Sequence, residues 1–206
     1  MKYNLNCKLY LVTDRDMLKN TDFYTAIEQA IIGGVTLVQL REKNMTSLEF
    51  YHTALQVKKI TDAYDVPLII NDRLDMMLAV DAAGVHLGQR DIPTAVARKL
   101  IGDSKILGAS TATVEEAVLA QRDGADYIGV GALFGTTTKS NTRPVTVELL
   151  KQIKQSVSIP VVAIGGIKTN NVMQLKPANI DGVAVVSDIL AREDIKSAAQ
   201  EFRKLL

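Results

Sequence analysis

The sequence predicts an α/β protein folded as a single (β/α)8 TIM barrel. Three observations carry that reading: eight short apolar runs, helical apolar stripes between them, and a length of 206 residues, which suits one such barrel. The runs are Leu9 to Val12, Val35 to Leu40, Leu68 to Ile70, Val85 to Leu87, Ile106 to Ala109, Tyr127 to Val130, Val161 to Ile164 and Val183 to Val186. Between the first two, Phe23, Ala26, Ile27, Ala30 and Ile31 recur at helical spacing and make one apolar face. After the eighth, Ile195, Ala198, Ala199 and Phe202 repeat the stripe, as expected of the helix that closes a barrel. Strands alternating with helices imply a parallel sheet, and eight units in this length favour a closed barrel over an open, doubly wound sheet. The third helix is confined between Asp72 and Val80 and is expected to be very short. Several strands begin just after a glycine, in Gly34-Val35, Gly84-Val85 and Gly182-Val183, and these glycines are expected to end helices in a left-handed conformation.

Composition narrows the function. Lys and Arg number 24 against 23 Asp and Glu, so no basic field is available for unselective nucleic-acid binding, and any bound anion must be held by local groups. Cys7 is the one cysteine, which excludes an internal disulfide and fits a reducing compartment. No stretch resembles a signal peptide or approaches the roughly 18 apolar residues that span a bilayer. The expectation is a cytoplasmic protein with residues 1–206 forming one catalytic domain, acting on small molecules and not on nucleic acid or a membrane. Oligomeric state is not legible.

Barrel enzymes place reactive groups on the loops that follow the carboxyl ends of strands. After the second run, Gln39, Arg41 and Lys43 alternate with Leu40 and Glu42, so an amide and two cations share one side of an extended chain. A solvated strand end explains such a pattern in isolation. The third run ends Ile70-Asn71-Asp72 and the fourth leads into Gly88-Gln89-Arg90-Asp91, placing two carboxylates after neighbouring strands. Neighbouring strands lie about 4.8 Å apart, so Asp72 and Asp91 can reach one Mg²⁺, which takes one or two carboxylates plus phosphate oxygens and water. The competing reading makes each Asp a helix cap, and Ile92-Pro93 after Asp91 is a good helix start.

The sixth run leads into Phe134-Gly135-Thr136-Thr137-Thr138-Lys139, within a long polar link from Ala132 to Pro144. Gly165-Gly166 after the seventh run and Val186-Ser187 after the eighth occupy positions where barrels bind phosphate through backbone amides. Arg41, Lys43, Lys139 and a divalent ion, set against Asp72 and Asp91, leave a positive surplus matching a diphosphate monoester, about −3 near neutral pH. The glycine site, lacking a cation nearby, suits a monophosphate. His86, inside an apolar run, reads as a hydrogen-bonded core imidazole or a proton shuttle, and Ser110 as a substrate contact or a helix cap.

Taken in order, Tyr10-Leu11-Val12-Thr13-Asp14, Gln39 to Lys43, Ile70-Asn71-Asp72, His86 to Asp91, Gly108-Ala109-Ser110, Thr136 to Lys139, Ile164 to Ile167 and Val186-Ser187 form a series. This series resembles the thiamine phosphate synthase family through nearly the whole chain. The resemblance implies a transferase that joins hydroxymethylpyrimidine diphosphate to hydroxyethylthiazole phosphate, releasing diphosphate by a dissociative route assisted by Mg²⁺. It implies that Gln39, Arg41, Lys43, Asn71, Ser110 and Lys139 bind the pyrimidine diphosphate, with Arg41, Lys43 and Lys139 as the catalytic cations. It further implies that Asp72 and Asp91 hold the metal, while Thr136, Thr137, Thr138, Gly166, Val186 and Ser187 cradle the thiazole phosphate. One departure stands out: Gly135 replaces the proline common before the family's threonine loop, which is expected to loosen that loop. The rival within the same fold is a thiazole tautomerase, for which His86 would be the shuttle. From another class, the rival is a non-catalytic phosphate sensor.

Overall fold

The structure is a computed structural model and describes residues 5–135 and 143–206. Eight parallel strands close in sequence order into a barrel: β1 (Leu9–Val12), β2 (Leu37–Leu40), β3 (Leu68–Asn71), β4 (Gly84–Leu87), β5 (Ile106–Thr111), β6 (Tyr127–Val130), β7 (Val161–Ile164) and β8 (Gly182–Val185). Closure is made by β1 on β8, with Tyr10 opposite Ala184. All eight expected runs are strands.

Alternation along each strand sorts its residues between two apolar layers. Tyr10, Leu37, Ile69, Ile106, Tyr127 and Val162 meet in one cluster inside the barrel. Their neighbours Leu9, Leu11, Val38, Leu40, Ile70 and Leu107 face outward and pack with the helices. The helices are α1 (Phe23–Ile32), α2 (Ser47–Ala63), α3 (Leu74–Ala79), α4 (Thr94–Ile101), α5 (Val114–Arg122), α6 (Val147–Ser156), α7 (Ser187–Leu190) and α8 (Ile195–Leu205). The buried residues of α1 are Phe23, Ala26, Ile27, Ala30 and Ile31, and those of α8 are Ile195, Ala198, Ala199 and Phe202, which are the two expected stripes. As expected, α3 is short, with six residues. Asp22 caps α1 by accepting from Tyr24 N and Thr25 N, and Thr46 with Glu49 forms a capping box on α2. Between β7 and β8 the chain forms a 3-10 helix, Val172–Ala178, instead of an α-helix. Pro177 inside it lacks an N–H, and Asn179 in the left-handed region ends it.

The reading of the strand-leading glycines holds at one position and fails at two. Gly34 has φ +110°, as expected of a residue that ends a helix. Gly84 and Gly182 are instead the first residues of β4 and β8, and the left-handed positions before them belong to Asp81 and Asn179, each at φ 50°. Close packing requires glycine at both: a Cβ on Gly84 would stand 2.1 Å from Ile106 O, and one on Gly182 1.8 Å from Cys7 O. Among the described residues no helix is long and apolar enough to cross a membrane. Cys7 is buried, and burial pushes its thiol up to about 12, which keeps it in the unreactive protonated form.

Candidate active site

Among the described residues, the polar residues singled out by the sequence gather toward the carboxyl ends of the strands. Backbone pairing between β1 and β2 runs on past both strands: Thr13 N donates to Gln39 O at 2.9 Å, and Arg41 N donates to Thr13 Oγ1 at 3.0 Å. That extension sets Asp14 beside the cations of β2. Lys43 Nζ lies 2.9 Å and Arg41 Nη1 3.3 Å from Asp14 Oδ2. The expected alternation is realised, since Glu42 turns away and accepts from Arg15 Nε at 2.7 Å. Burial holds the Glu42 carboxyl above the usual range, with Arg15 pulling the other way. The Arg15 guanidinium in turn lies 3.5 Å from the centre of the Phe23 ring, so this outward pair is fastened to α1.

Asp14 joins these cations in the structure, a partner to which the sequence reading gave no role. Its side chain is 3 % exposed, and its carboxylate offsets one of the cations counted toward a bound diphosphate, so the positive surplus is smaller by one charge than the sequence count. The signal available was an Asp two residues beyond an apolar strand, between the offsets of Arg41 (one residue) and Lys43 (three residues) beyond β2. Gln39, just below, is buried and donates through Nε2 to Tyr10 Oη at 2.7 Å inside the barrel.

On the next two strands, Asn71 is the last residue of β3, and Asp72 follows it in the left-handed region at φ 60°. Asp72 N donates to His86 O at 2.9 Å, which ties this residue to the end of β4. Asp91 lies in the loop after β4, and its Oδ2 accepts from Gly88 N at 2.6 Å, folding the carboxylate back toward the strand end. Neither Asp is a helix cap: α3 has Arg73 and α4 has Pro93 at the capping position. The two carboxylates therefore belong to adjoining loops at one rim. Among the described residues, no three or more His, Cys, Asp or Glu side chains form a group able to hold a metal. A two-carboxylate donor set is too sparse for an all-protein cage. It fits Mg²⁺, which keeps waters and completes its shell with substrate phosphate oxygens.

Ser110 is the penultimate residue of β5, and its Oγ is 2.9 Å from His86 Nε2. The other ring nitrogen of His86 is 3.0 Å from Tyr127 Oη, so the imidazole is a hydrogen-bonded interior group. Ser110 is a strand residue and does not cap α5, whose cap is Thr113.

At the opposite side, Gly165 and Gly166 follow β7 with φ +100° and +66°. A Cβ on Gly166 would stand 2.4 Å from Gly135 O, and Phe134 N donates to Gly165 O at 2.9 Å, so this turn also seats the start of the loop after β6. A Cβ on Gly135 meets nothing within 4 Å, so packing does not demand glycine there. Val186 immediately precedes α7, and Ser187 opens it, placing the amino terminus of a four-residue helix after the eighth strand. Thr136, Thr137, Thr138 and Lys139 lie outside the described residues. The foot of their loop is anchored: Arg143 makes a two-pronged ion pair with Glu116 of α5 at 2.7 and 2.8 Å, and its carbonyl accepts from Ala132 N.

A closed (β/α)8 barrel with cations, carboxylates and glycine turns on one rim has the layout of the barrel enzymes, which carry their reactive groups on that rim. Comparison with known proteins gives the family. Residues 9–189 match the model for thiamine monophosphate synthase. The chain is 59 % identical over 198 residues to the thiamine-phosphate synthase of Clostridium tetani, covering 96 % of this chain and 95 % of that one. It is 57 % identical over 205 residues to that of Alkaliphilus oremlandii, covering 98 % of each. A solved thiamine phosphate pyrophosphorylase from Pyrococcus furiosus superposes with a TM-score of 0.89 at 40 % identity, covering 97 % of this chain and 95 % of that one. The chain belongs to the thiamine monophosphate synthase family, and it is an enzyme of the transferase class.

Proposed function

We propose that this enzyme condenses hydroxymethylpyrimidine diphosphate with hydroxyethylthiazole phosphate, giving thiamine phosphate and diphosphate, and that the whole chain acts as one catalytic domain in the cytoplasm. The observation that carries the reading is the meeting of Arg41 and Lys43 over buried Asp14, on the strand beside the Asn71-Asp72 turn. Two cations pinned by one carboxylate keep a net positive charge and a set position, which is what a departing diphosphate requires.

In this reading Gln39, Asn71 and Ser110 hold the pyrimidine end, while Arg41, Lys43 and Lys139 take up negative charge as the carbon–oxygen bond to diphosphate breaks. Asp72 and Asp91 would hold Mg²⁺, which supplies further charge neutralisation on the diphosphate oxygens. Gly166, Val186 and Ser187, with Thr136, Thr137 and Thr138, hold the thiazole phosphate through backbone amides and hydroxyls, so that the ring nitrogen faces the carbon left by diphosphate. The nucleophile is a neutral ring nitrogen, so no strong general base is needed. Both nitrogens of His86 are engaged by Tyr127 and Ser110, which disfavours the proton shuttle that a thiazole tautomerase would require.

The test is to incubate the purified protein with both substrates and Mg²⁺ and to assay thiamine phosphate, then to repeat with EDTA. Product with metal and none without supports the proposal. Turnover of the thiazole substrate alone, surviving EDTA, would transfer the assignment to the tautomerase.

A further inference from the structure

Five side chains from five strands form one run of hydrogen bonds inside the barrel. Gln39 Nε2 donates to Tyr10 Oη at 2.7 Å, and the Tyr10 and Tyr127 hydroxyls are 2.7 Å apart. Tyr127 Oη is 3.0 Å from His86 Nδ1, and His86 Nε2 is 2.9 Å from Ser110 Oγ. The ends are the two residues read above as pyrimidine-diphosphate contacts. The three between them are buried, at 2 %, 0 % and 8 % exposure for Tyr10, Tyr127 and His86. Two glycines make room for the run. A Cβ on Gly108 would stand 2.3 Å from the Tyr127 ring and 2.5 Å from His86 Nδ1, and one on Gly129 would stand 3.2 Å from His86 Cε1.

Counting protons gives the run a direction. A phenol carries one hydrogen, so Tyr10, whose oxygen accepts from the Gln39 amide, gives its own to Tyr127. Tyr127, accepting from Tyr10, gives its hydrogen to His86 Nδ1. An imidazole that accepts at Nδ1 carries its hydrogen on Nε2 and donates it to Ser110 Oγ. Ser110, already accepting, has its own hydrogen left for a partner outside the run, at the barrel mouth. Burial pushes both phenols well up, so each keeps the hydrogen this order requires. The opposite order needs the Gln39 amide turned over and every hydroxyl reversed together.

We propose that Tyr10, Tyr127 and His86 are positioning residues forming a one-way hydrogen-bond relay that makes Ser110 a hydroxyl donor to the diphosphate-bearing substrate. The identity of that substrate rests on the function proposed above, whereas the direction of the relay does not.

The test uses the full chain labelled with ¹⁵N-histidine. The protein has two histidines, and His52→Gln, on the exposed side of α2, assigns the other. The expected result without substrate is His86 as the Nε2–H tautomer, with Nδ1 in the unprotonated range. Tyr127→Phe removes the donor to Nδ1 and is expected to shift the ring toward mixed tautomers. It should also lower kcat/KM for the pyrimidine diphosphate about two- to tenfold, the loss of one hydrogen bond to an uncharged group. In a Ser110→Ala background, Tyr127→Phe should add no further loss, because the relay acts through that hydroxyl. An Nδ1–H tautomer in the unmodified protein overturns the proposal, as does a Tyr127→Phe loss that multiplies with that of Ser110→Ala. Should the protein make no thiamine phosphate, the tautomer alone decides the relay, so the two readings fail separately.

Discussion

Lys43 Nζ stands 2.9 Å from the buried carboxylate of Asp14, and Arg41 approaches the same oxygen at 3.3 Å. One acid thereby holds two cations at the barrel mouth. Neutralising it tests whether this pairing serves placement. Asp14→Asn keeps the shape but removes the charge, leaving two cations close together. We expect a stability loss of about 1–3 kcal/mol, moderated because Lys43 is partly in water, and a raised KM for the pyrimidine diphosphate. Unchanged urea unfolding together with unchanged KM would remove Asp14 from the site.

Asp91 accepts from Gly88 N through Oδ2, and an asparagine can keep that bond through its amide oxygen. Asp91→Asn should therefore leave the fold intact while raising the Mg²⁺ concentration needed for half-maximal rate. The check is a metal titration of activity beside a thermal melt. Superimposable titration curves would exclude this carboxylate as a ligand.

Lys139 follows the threonine run and is assigned to the leaving diphosphate. Lys139→Ala should lower kcat far more than it weakens thiazole phosphate binding, because the charge it meets develops mainly in the transition state. Steady-state kinetics with each substrate varied in turn separates the two effects. Equal losses in both parameters would count against a leaving-group role.

Gly108 sits where Tyr127 and His86 close over β5, with no space for a methyl group. Gly108→Ala should destabilise by about 1–3 kcal/mol through overpacking and should reduce activity by displacing the imidazole. Denaturant unfolding measures the first effect. An alanine variant with native stability and native rate would show that the interior yields more readily than the distances imply.

The barrel itself was legible because its signals are local. Side chains alternate along any extended strand, so Gln39, Arg41 and Lys43 had to share a side, and Glu42 had to face away, wherever β2 came to lie. The stripes on α1 and α8 follow in the same way from the helical period. Gly84 and Gly182 depart from that reading because their reason is a carbonyl distant in sequence, at Ile106 of β5 and at Cys7 just before β1, and no local rule contains it.

What the chain by itself determined is therefore the set of elements, their order and the polar residues at their ends. Only the closed sheet decided which of those residues meet. Asp14 and Lys43 are brought together by the register of β1 on β2, and Tyr10 and Tyr127, 117 positions apart, touch because the strands wrap around a common interior. Periodicity operates over a few residues, whereas hydrogen-bond partners and charge balance depend on distances in space, and those exist only once the barrel has closed.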